Sequence, residues 1–410
     1  MNPILQRLFA VFLVMAVLFG ALPAAAERPE RFGGLPVVLL KGTHHQRGIA
    51  HGKALHNKIV DLVDNYLVRD LNPFMFFAML KKMGPLITSS EGLIAEAKGI
   101  VKGAKEAGGG LFRSKYRDDD FTWQEILALN VYVDYIGTAC SSVSAWNQAT
   151  RKSTLKGQTV IARNLDWSVH EALLRNQVLF VHLPEETNEQ PFISIGFAGL
   201  MGCLSCANKA GLGAFLNLGY GNRSGSFPPE HPVTPAALAF RQAIETRTPE
   251  GKGLLDSFIA TLTGTKRTGS FIIHAVTPND GWTEPAAVIE LLPDEHKVRR
   301  AGDDNAFEAP ILVATNHHRN AAPARACSRY TIALADAENH SWQYTPDELW
   351  KTLWRMRRDD TMQRMLYVPV TGEFRLSTLT PTGKKLKLKT YKSTDFSPVD
   401  SITLDQLFNP

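Results

Sequence analysis

Four cysteines in 410 residues are too few to staple a chain of this length, so its stability has to come from a hydrophobic core. Charge of one sign is also scarce: 45 Lys and Arg stand against 40 Asp and Glu, a net +5, which gives no basic face for nucleic acid. The densest basic segment, Lys384-Lys385-Leu386-Lys387-Leu388-Lys389, has a period of two and reads as a strand with one solvated lysine face. Long apolar runs are missing except at the start. There Leu8 to Leu22 follows Arg7 and leads to Ala24-Ala25-Ala26, with Gly20 and Pro23 breaking any helix. That layout predicts a secretory signal peptide cut after Ala26 rather than a membrane anchor, and a mature chain, residues 27–410, that is secreted or periplasmic.

Several catalytic signatures are absent as well. The chain has no His-Glu-x-x-His, no Gly-Lys-Ser/Thr phosphate loop and no Gly-x-Ser-x-Gly elbow. Gly211-Leu212-Gly213 lacks the third glycine and following helix of a dinucleotide site. His44, His45 and His51 have no carboxylate or cysteine at ligand spacing, so they read as loop and helix-start residues, and no metal or organic cofactor is implied. Cys203-Leu204-Ser205-Cys206 has redox spacing without a βαβ setting. It reads as packed strand residues or a local disulfide, with a thiol-disulfide role as the rival.

What is present falls into two textures. Residues 35–41 read as a strand, followed by the loop 42–48 and a helix carrying Leu55, Ile59, Leu62 and Tyr66. Helices follow at 73–83 and 90–107, and Thr122-Trp123-Gln124-Glu125 is a capping box opening a helix to Tyr135. Beyond Cys140 come short strands at 141–147, 158–163, 177–183, 191–197 and 211–218. Helices at 234–246 and 251–264 separate these from strands at 270–276, 285–291 and 310–315. A helix over 328–337 and another announced by Thr345-Pro346-Asp347-Glu348 complete the pattern. This order predicts an α+β domain of two sheets with helices packed outside them.

Cys140 is the residue that carries chemistry. It stands in Thr138-Ala139-Cys140-Ser141-Ser142, and Thr159-Val160-Ile161-Ala162 then leads to Arg163-Asn164-Leu165-Asp166-Trp167. A hairpin joining these segments returns Arg163 and Asp166 to Cys140, and a neighbouring cation favours the thiolate, the nucleophilic form. Cysteine in isolation is more often a small buried hydrophobe. The two charged residues at this spacing shift the reading to a nucleophile.

Four segments, in order along the chain, carry a resemblance. They are Gly42-Thr43-His44-His45-Gln46-Arg47-Gly48-Ile49-Ala50-His51-Gly52; Cys140-Ser141-Ser142 with Arg163 to Trp167; Asn208-Lys209-Ala210-Gly211-Leu212 leading to Asn217; and Thr315-Asn316-His317 with Ser328-Arg329. Together they resemble the N-terminal-nucleophile hydrolases of the choloylglycine hydrolase and acyl-CoA:isopenicillin N acyltransferase group, which includes peptidase C45-like members and acid-ceramidase-like amidases. The resemblance implies a four-layer αββα sandwich. It also implies self-cleavage before Cys140 and a helical segment 27–139 retained on a catalytic segment 140–410 as a nicked heterodimer. The α-amino group of Cys140 would be its general base. Asp166 would orient that amine, Arg163 would favour the thiolate, Asn316 and Asn217 (with Asn208 nearby) would serve the oxyanion, and Arg329 would support the site. The implied reaction is hydrolysis of a linear amide of a small N-acyl substrate through a thioester. Acyl transfer is the alternative, and a non-catalytic binding protein of the same fold is a further one. The long segment before Cys140 departs from the choloylglycine branch, where little precedes the nucleophile.

Overall fold

A computed structural model describes residues 28–409 apart from 70–71, 136–138, 168, 221–230, 266, 268, 304–305, 322–324 and 382–391. The candidate leader and the lysine-rich strand lie outside the described residues. Among those described, no helix is long and apolar enough to cross a membrane.

The N-terminal part contributes β1 (Arg31–Phe32), β2 (Leu35–Gly42), α1 (His44–Leu62), α2 (Pro73–Met83), α3 (Glu91–Ala107), α4 (Trp123–Leu129) and α5 (Tyr132–Tyr135). Next come β3 (Ala139–Ala145), β4 (Val160–Asp166), α6 (Glu171–Arg175), β5 (Gln177–Pro184), β6 (Phe192–Phe197), β7 (Ser205–Asn208) and β8 (Gly213–Leu218). They are followed by α7 (Ala236–Glu245), α8 (Leu254–Thr263), β9 (Phe271–Val276), β10 (Ala286–Leu291), β11 (His296–Arg299) and β12 (Ile311–Ala314). The chain ends with α9 (Ser328–Asn339), α10 (Pro346–Met356), β13 (Thr361–Val368), β14 (Glu373–Thr378), β15 (Asp400–Thr403) and α11 (Leu404–Phe408).

The strands form two sheets, ordered β1-β2-β5-β6-β7-β8-β9-β10-β11 and β12-β3-β4-β13-β14-β15. Their period-two alternation separates three cores. Between the sheets lie Leu179, Val181, Ile193, Phe215 and Ile272 from one and Ile161, Leu312, Met365, Tyr367 and Leu376 from the other. The opposite face of the larger sheet, with Phe180, Phe192, Leu216 and Ile273, packs against residues of α1, α3, α4, α7 and α8. The outer face of the smaller sheet, with Val143, Ala162, Val313 and Leu366, meets Tyr330, Ala333, Leu349 and Leu353 of α9 and α10. The fold is therefore a four-layer αββα sandwich, as expected.

Two glycines of the opening motif are packing residues. A Cβ at Gly48 would sit 2.1 Å from the Glu96 carbonyl oxygen, and one at Gly52 the same distance from that of Ile100. Only glycine lets α1 approach α3 so closely. The capping boxes at Thr122/Glu125 and Thr345/Glu348 form as their sequence predicts. The helix expected over 123–135 is interrupted instead. At Asn130 the backbone keeps helical dihedrals but its N–H bonds the Leu127 carbonyl at 3.0 Å, while its carboxamide donates to the Ile126 carbonyl at 3.0 Å and accepts from the N–H groups of Met201 and Gly202 at 2.9 and 3.0 Å.

Candidate active site

Strand pairing assembles the site. β3 and β4 run antiparallel with Cys140 opposite Leu165 and Ser142 opposite Arg163, so Cys140 and Arg163 stand on the same face, toward the larger sheet. The alternation turns Asp166 to the opposite face, toward α9. Ser142 and Ser144 share the face of Cys140 and hydrogen-bond the two ring nitrogens of His274 on β9, at 2.9 and 2.8 Å, fixing one sheet over the other.

Arg163 Nη2 lies 3.2 Å from Cys140 Sγ and also donates to the Leu216 carbonyl, while Nη1 donates to Ser205 Oγ. Both Cys140 and Arg163 are fully buried. That burial pushes the thiol above its ordinary value, and the Arg163 charge opposes the rise.

The backbone N–H of Cys140 donates to Asn316 Oδ1 at 2.8 Å. Arg329, on the first turn of α9, ties the surroundings together. Its Nη1 donates to the Cys140 carbonyl and, at 3.2 Å, to Asp166 Oδ2, and its Nη2 donates to Asn316 Oδ1 at 2.7 Å. Thr361 Oγ1 donates to Asp166 Oδ1 at 2.5 Å. Burial pushes Asp166 up to about 6 despite the pull of Arg329 and of the Thr361 hydroxyl.

Cys140, Arg163, Asp166, Asn316 and Arg329 are thus in mutual contact, directly or through one another. Asn217 is next to them without touching Cys140. It lies between Leu216, whose carbonyl binds Arg163, and Leu218, whose carbonyl accepts from Asn316 Nδ2 at 2.7 Å. The Asn217 Nδ2 makes one long bond of 3.3 Å to the Thr315 carbonyl, and its Oδ1 has no hydrogen-bond partner among the described residues. Asn208 serves the fold, donating to the Ile244 carbonyl at 3.0 Å and accepting from the Leu212 N–H at the same distance. Asn316 differs from the expectation in one respect: its amide donor is committed to Leu218, and the oxygen faces the Cys140 nitrogen.

Ser205 and Thr361 escaped the sequence reading. Thr361 lies 195 residues beyond Asp166, and only the β4–β13 register brings it alongside. The Cys203–Cys206 pair is a disulfide. His318 is buried against Ser270 and Glu290, whereas His317 stacks edge-on to Tyr220.

A second buried polar cluster gathers the opening motif. His44 bonds Glu96 at 3.1 Å and Glu189 at 2.7 Å, and Arg47 donates to Glu189 at 2.7 Å. Arg241 grips Glu96 through two bonds of 2.7 and 2.6 Å and reaches Glu245 at 3.1 Å. His44, Glu186 and Glu189 offer ligand atoms within 4.8 Å of one another. Arg47 also reaches Glu186, at 3.4 Å, so a fixed cation already pairs with both of these carboxylates.

No family model matches the chain. Among curated proteins it is similar to Dictyostelium discoideum protein dcd1B, 20% identical over 41% of this chain and 35% of that one, and to protein dcd1A of the same organism, 26% identical over 41% of each. The chain thus spans well under half the length of the curated relatives it matches. Among solved structures it is similar to a Caenorhabditis elegans N-acylethanolamine-hydrolyzing acid amidase ortholog. That match has TM-score 0.42 and 18% identity, and covers 56% of this chain and 93% of the other. It is also similar to penicillin V acylase from Agrobacterium tumefaciens, with TM-score 0.38, 12% identity and coverage of 59% and 84%. A third is a conjugated bile acid hydrolase from Clostridium perfringens, with TM-score 0.35, 11% identity and coverage of 66% and 94%. In motif order and in layering, this chain resembles the choloylglycine hydrolase-like group of N-terminal-nucleophile hydrolases.

Proposed function

We propose that this protein is a self-processing cysteine hydrolase of linear amides, exported from the cytoplasm, with Cys140 as nucleophile. One observation carries the reading: a buried arginine is aimed at the Cys140 sulfur while the nitrogen of the same residue is held by Asn316 at 2.8 Å. A structural cysteine has no use for a buried guanidinium at its sulfur.

In the uncut chain, Cys140 Sγ attacks the Ala139 carbonyl. The acyl group passes from nitrogen to sulfur, and water hydrolyses the resulting thioester. Ala139 leaves with a carboxylate, and Cys140 gains a free α-amino group with an ordinary pKa near 8. That amine then takes the thiol proton, and the sulfur attacks the substrate carbonyl. The α-ammonium returns that proton to the departing amine, and the α-amine finally deprotonates the water that releases the acid. Asn316 Oδ1, 2.8 Å from that nitrogen, takes in this reading the orienting role expected of Asp166, and Arg329 bonds both Asn316 and Asp166. Asn217 is the better candidate for oxyanion donor, since its amide makes only one long bond. Such donors are worth about 3–4 kcal/mol where they have been removed.

Beside the site, Ile59, Leu62, Tyr66, Trp167, Phe197 and Leu200 line a small apolar cavity of ≈ 40 Å³. Trp167 follows Asp166 directly, and its indole donates to the Tyr66 hydroxyl at 2.8 Å. A space of this size holds only a methyl-sized group, so it bears on the apolar character of a bound acyl group and not on its length. The cavity is lined from both sides of residue 140, and the His44 cluster likewise joins α1 and α3 to α7. Both features support a helical segment that stays bound after cleavage. Hydrolysis is favoured over acyl transfer because acyl-CoA is scarce outside the cytoplasm.

The test is turnover of N-acyl amino acid and fatty N-acyl amide substrates by the wild type and by Cys140→Ser. The proposal expects release of amine with a trappable acyl-thioester on Cys140 in the wild type only. Equal rates in both proteins would place the chemistry elsewhere.

A further inference from the structure

We propose that Ser205, braced by the Cys203–Cys206 disulfide, is a positioning residue that holds the Arg163 guanidinium against the Cys140 sulfur. This rests on the reading of Cys140 as nucleophile and adds a part that the resemblance does not supply. Arg163 is completely buried and fixed at three points: Cys140 Sγ, the Leu216 carbonyl and Ser205 Oγ. Its Nε has no hydrogen-bond partner among the described residues, so each remaining contact matters more for the direction in which the cation points.

Two routes lead from the disulfide loop to that guanidinium. One is direct, through the Ser205 hydroxyl. The other runs through the backbone, where Leu216 N–H donates to the Leu204 carbonyl at 2.9 Å and the Leu216 carbonyl accepts from Arg163. Ser205 is the first residue of β7, opposite Ile195 and Phe215, and alternation places it with Ala207 on the face that meets the smaller sheet. The disulfide closes a loop of three residues' separation immediately around it. On the far side, Cys203 N–H donates to the Ala237 carbonyl of α7 at 2.9 Å. The Cys-x-Ser-Cys segment, which shows no redox setting, thereby acquires a role: it is a rigid seat that fixes the direction of the Arg163 guanidinium toward the sulfur.

The experiment titrates the Cys140 thiol by its ultraviolet thiolate absorbance, with Cys140→Ala protein as the blank so that Cys327 cancels. This readout needs no turnover, so it stands even if no amide substrate is cleaved. Ser205→Ala is expected to raise the Cys140 midpoint by about half to one unit, leaving roughly three- to tenfold less thiolate at a fixed pH below it. Ser205→Thr, which keeps a hydroxyl, is expected to return the midpoint to the wild-type value. The Cys203→Ala/Cys206→Ala double variant is expected to move it in the same direction as Ser205→Ala. An unchanged midpoint in folded Ser205→Ala overturns the proposal, as does a Ser205→Thr protein displaced as far as Ser205→Ala. Should Ser205→Ala fail to fold, the double variant decides alone, and an unchanged midpoint there removes the brace.

Discussion

Raising the pH should weaken the protein through one histidine, His44, more than through any other residue of its cluster. Burial alone would depress this imidazole, but its bonds to Glu189 and Glu96 more than offset that and raise it to about 9. Arg241 opposes the rise, and Arg47 and Glu245 face the same space. A group held above its unfolded value of about 6.5 stabilises the fold fully below that value, and the contribution disappears as pH climbs through about 9. The interval of about 2.5 units corresponds to about 3 kcal/mol at 1.36 kcal/mol per unit. The assay is urea denaturation at a series of pH values from about 6 to about 10, comparing the wild type with His44→Gln. Glutamine keeps a hydrogen-bonding side chain and cannot titrate, so lysine and tyrosine effects common to both proteins cancel. Wild type should lose about 3 kcal/mol more than the variant across that range. Parallel stability curves would refute the reasoning, because they would mean that His44 carries no charge in the folded state. In a nicked molecule the same alkaline range should release the N-terminal segment, since His44, Arg47 and Glu96 lie before Cys140 and Glu189, Arg241 and Glu245 after it.

Three further outcomes are expected. Asn217→Ala should lower kcat by about 10²–10³ with little change in KM, the pattern of a contact made only in the transition state; a change confined to KM would assign Asn217 to substrate binding. Hydrolysis should fall as pH drops through about 6, where Asp166 gains its proton, and Asp166→Asn should lack that limb in any residual activity. Because burial raises this carboxyl, its effect on stability has the opposite sign, protective at low pH and lost as pH rises through about 6. Gly48→Ala should cost about 1–3 kcal/mol or more in denaturation, since its methyl group meets the Glu96 carbonyl at 2.1 Å. A neutral result there would show that α1 and α3 can separate freely.

Much of this was legible in the residues, and what was not has a physical reason. Alternation and turn signals located β5, β6, β9 and β10, and the Thr-x-x-Glu boxes located two helix starts. β3 and β4 are consecutive strands joined by residues 146–159, so antiparallel pairing is their simplest arrangement, and it returns Arg163 to Cys140. β13 went unread because Gln363 and Arg364 interrupt its apolar pattern. Both are buried, Gln363 donating to Gln177 at 2.8 Å and Arg364 lying over the Trp350 and Trp354 rings. With β13 unread, Thr361 and its bond to Asp166 were out of reach. The break at Asn130 is equally hidden, since the backbone N–H groups its carboxamide binds, those of Met201 and Gly202, are distant in sequence. Local pattern reports local structure, and the partners of a buried polar side chain are set by a register that no single segment contains.

The central claim is that Cys140 becomes a chain terminus with its own amine as base. The most direct measurement is the intact mass of the purified protein beside a Cys140→Ala variant, with N-terminal sequencing of every species. The account predicts two chains from the wild type, the larger beginning at Cys140, and one uncut chain from the variant. A single uncut wild-type chain would contradict it, because Cys140 would then possess no free amine and the proposed hydrolysis no base.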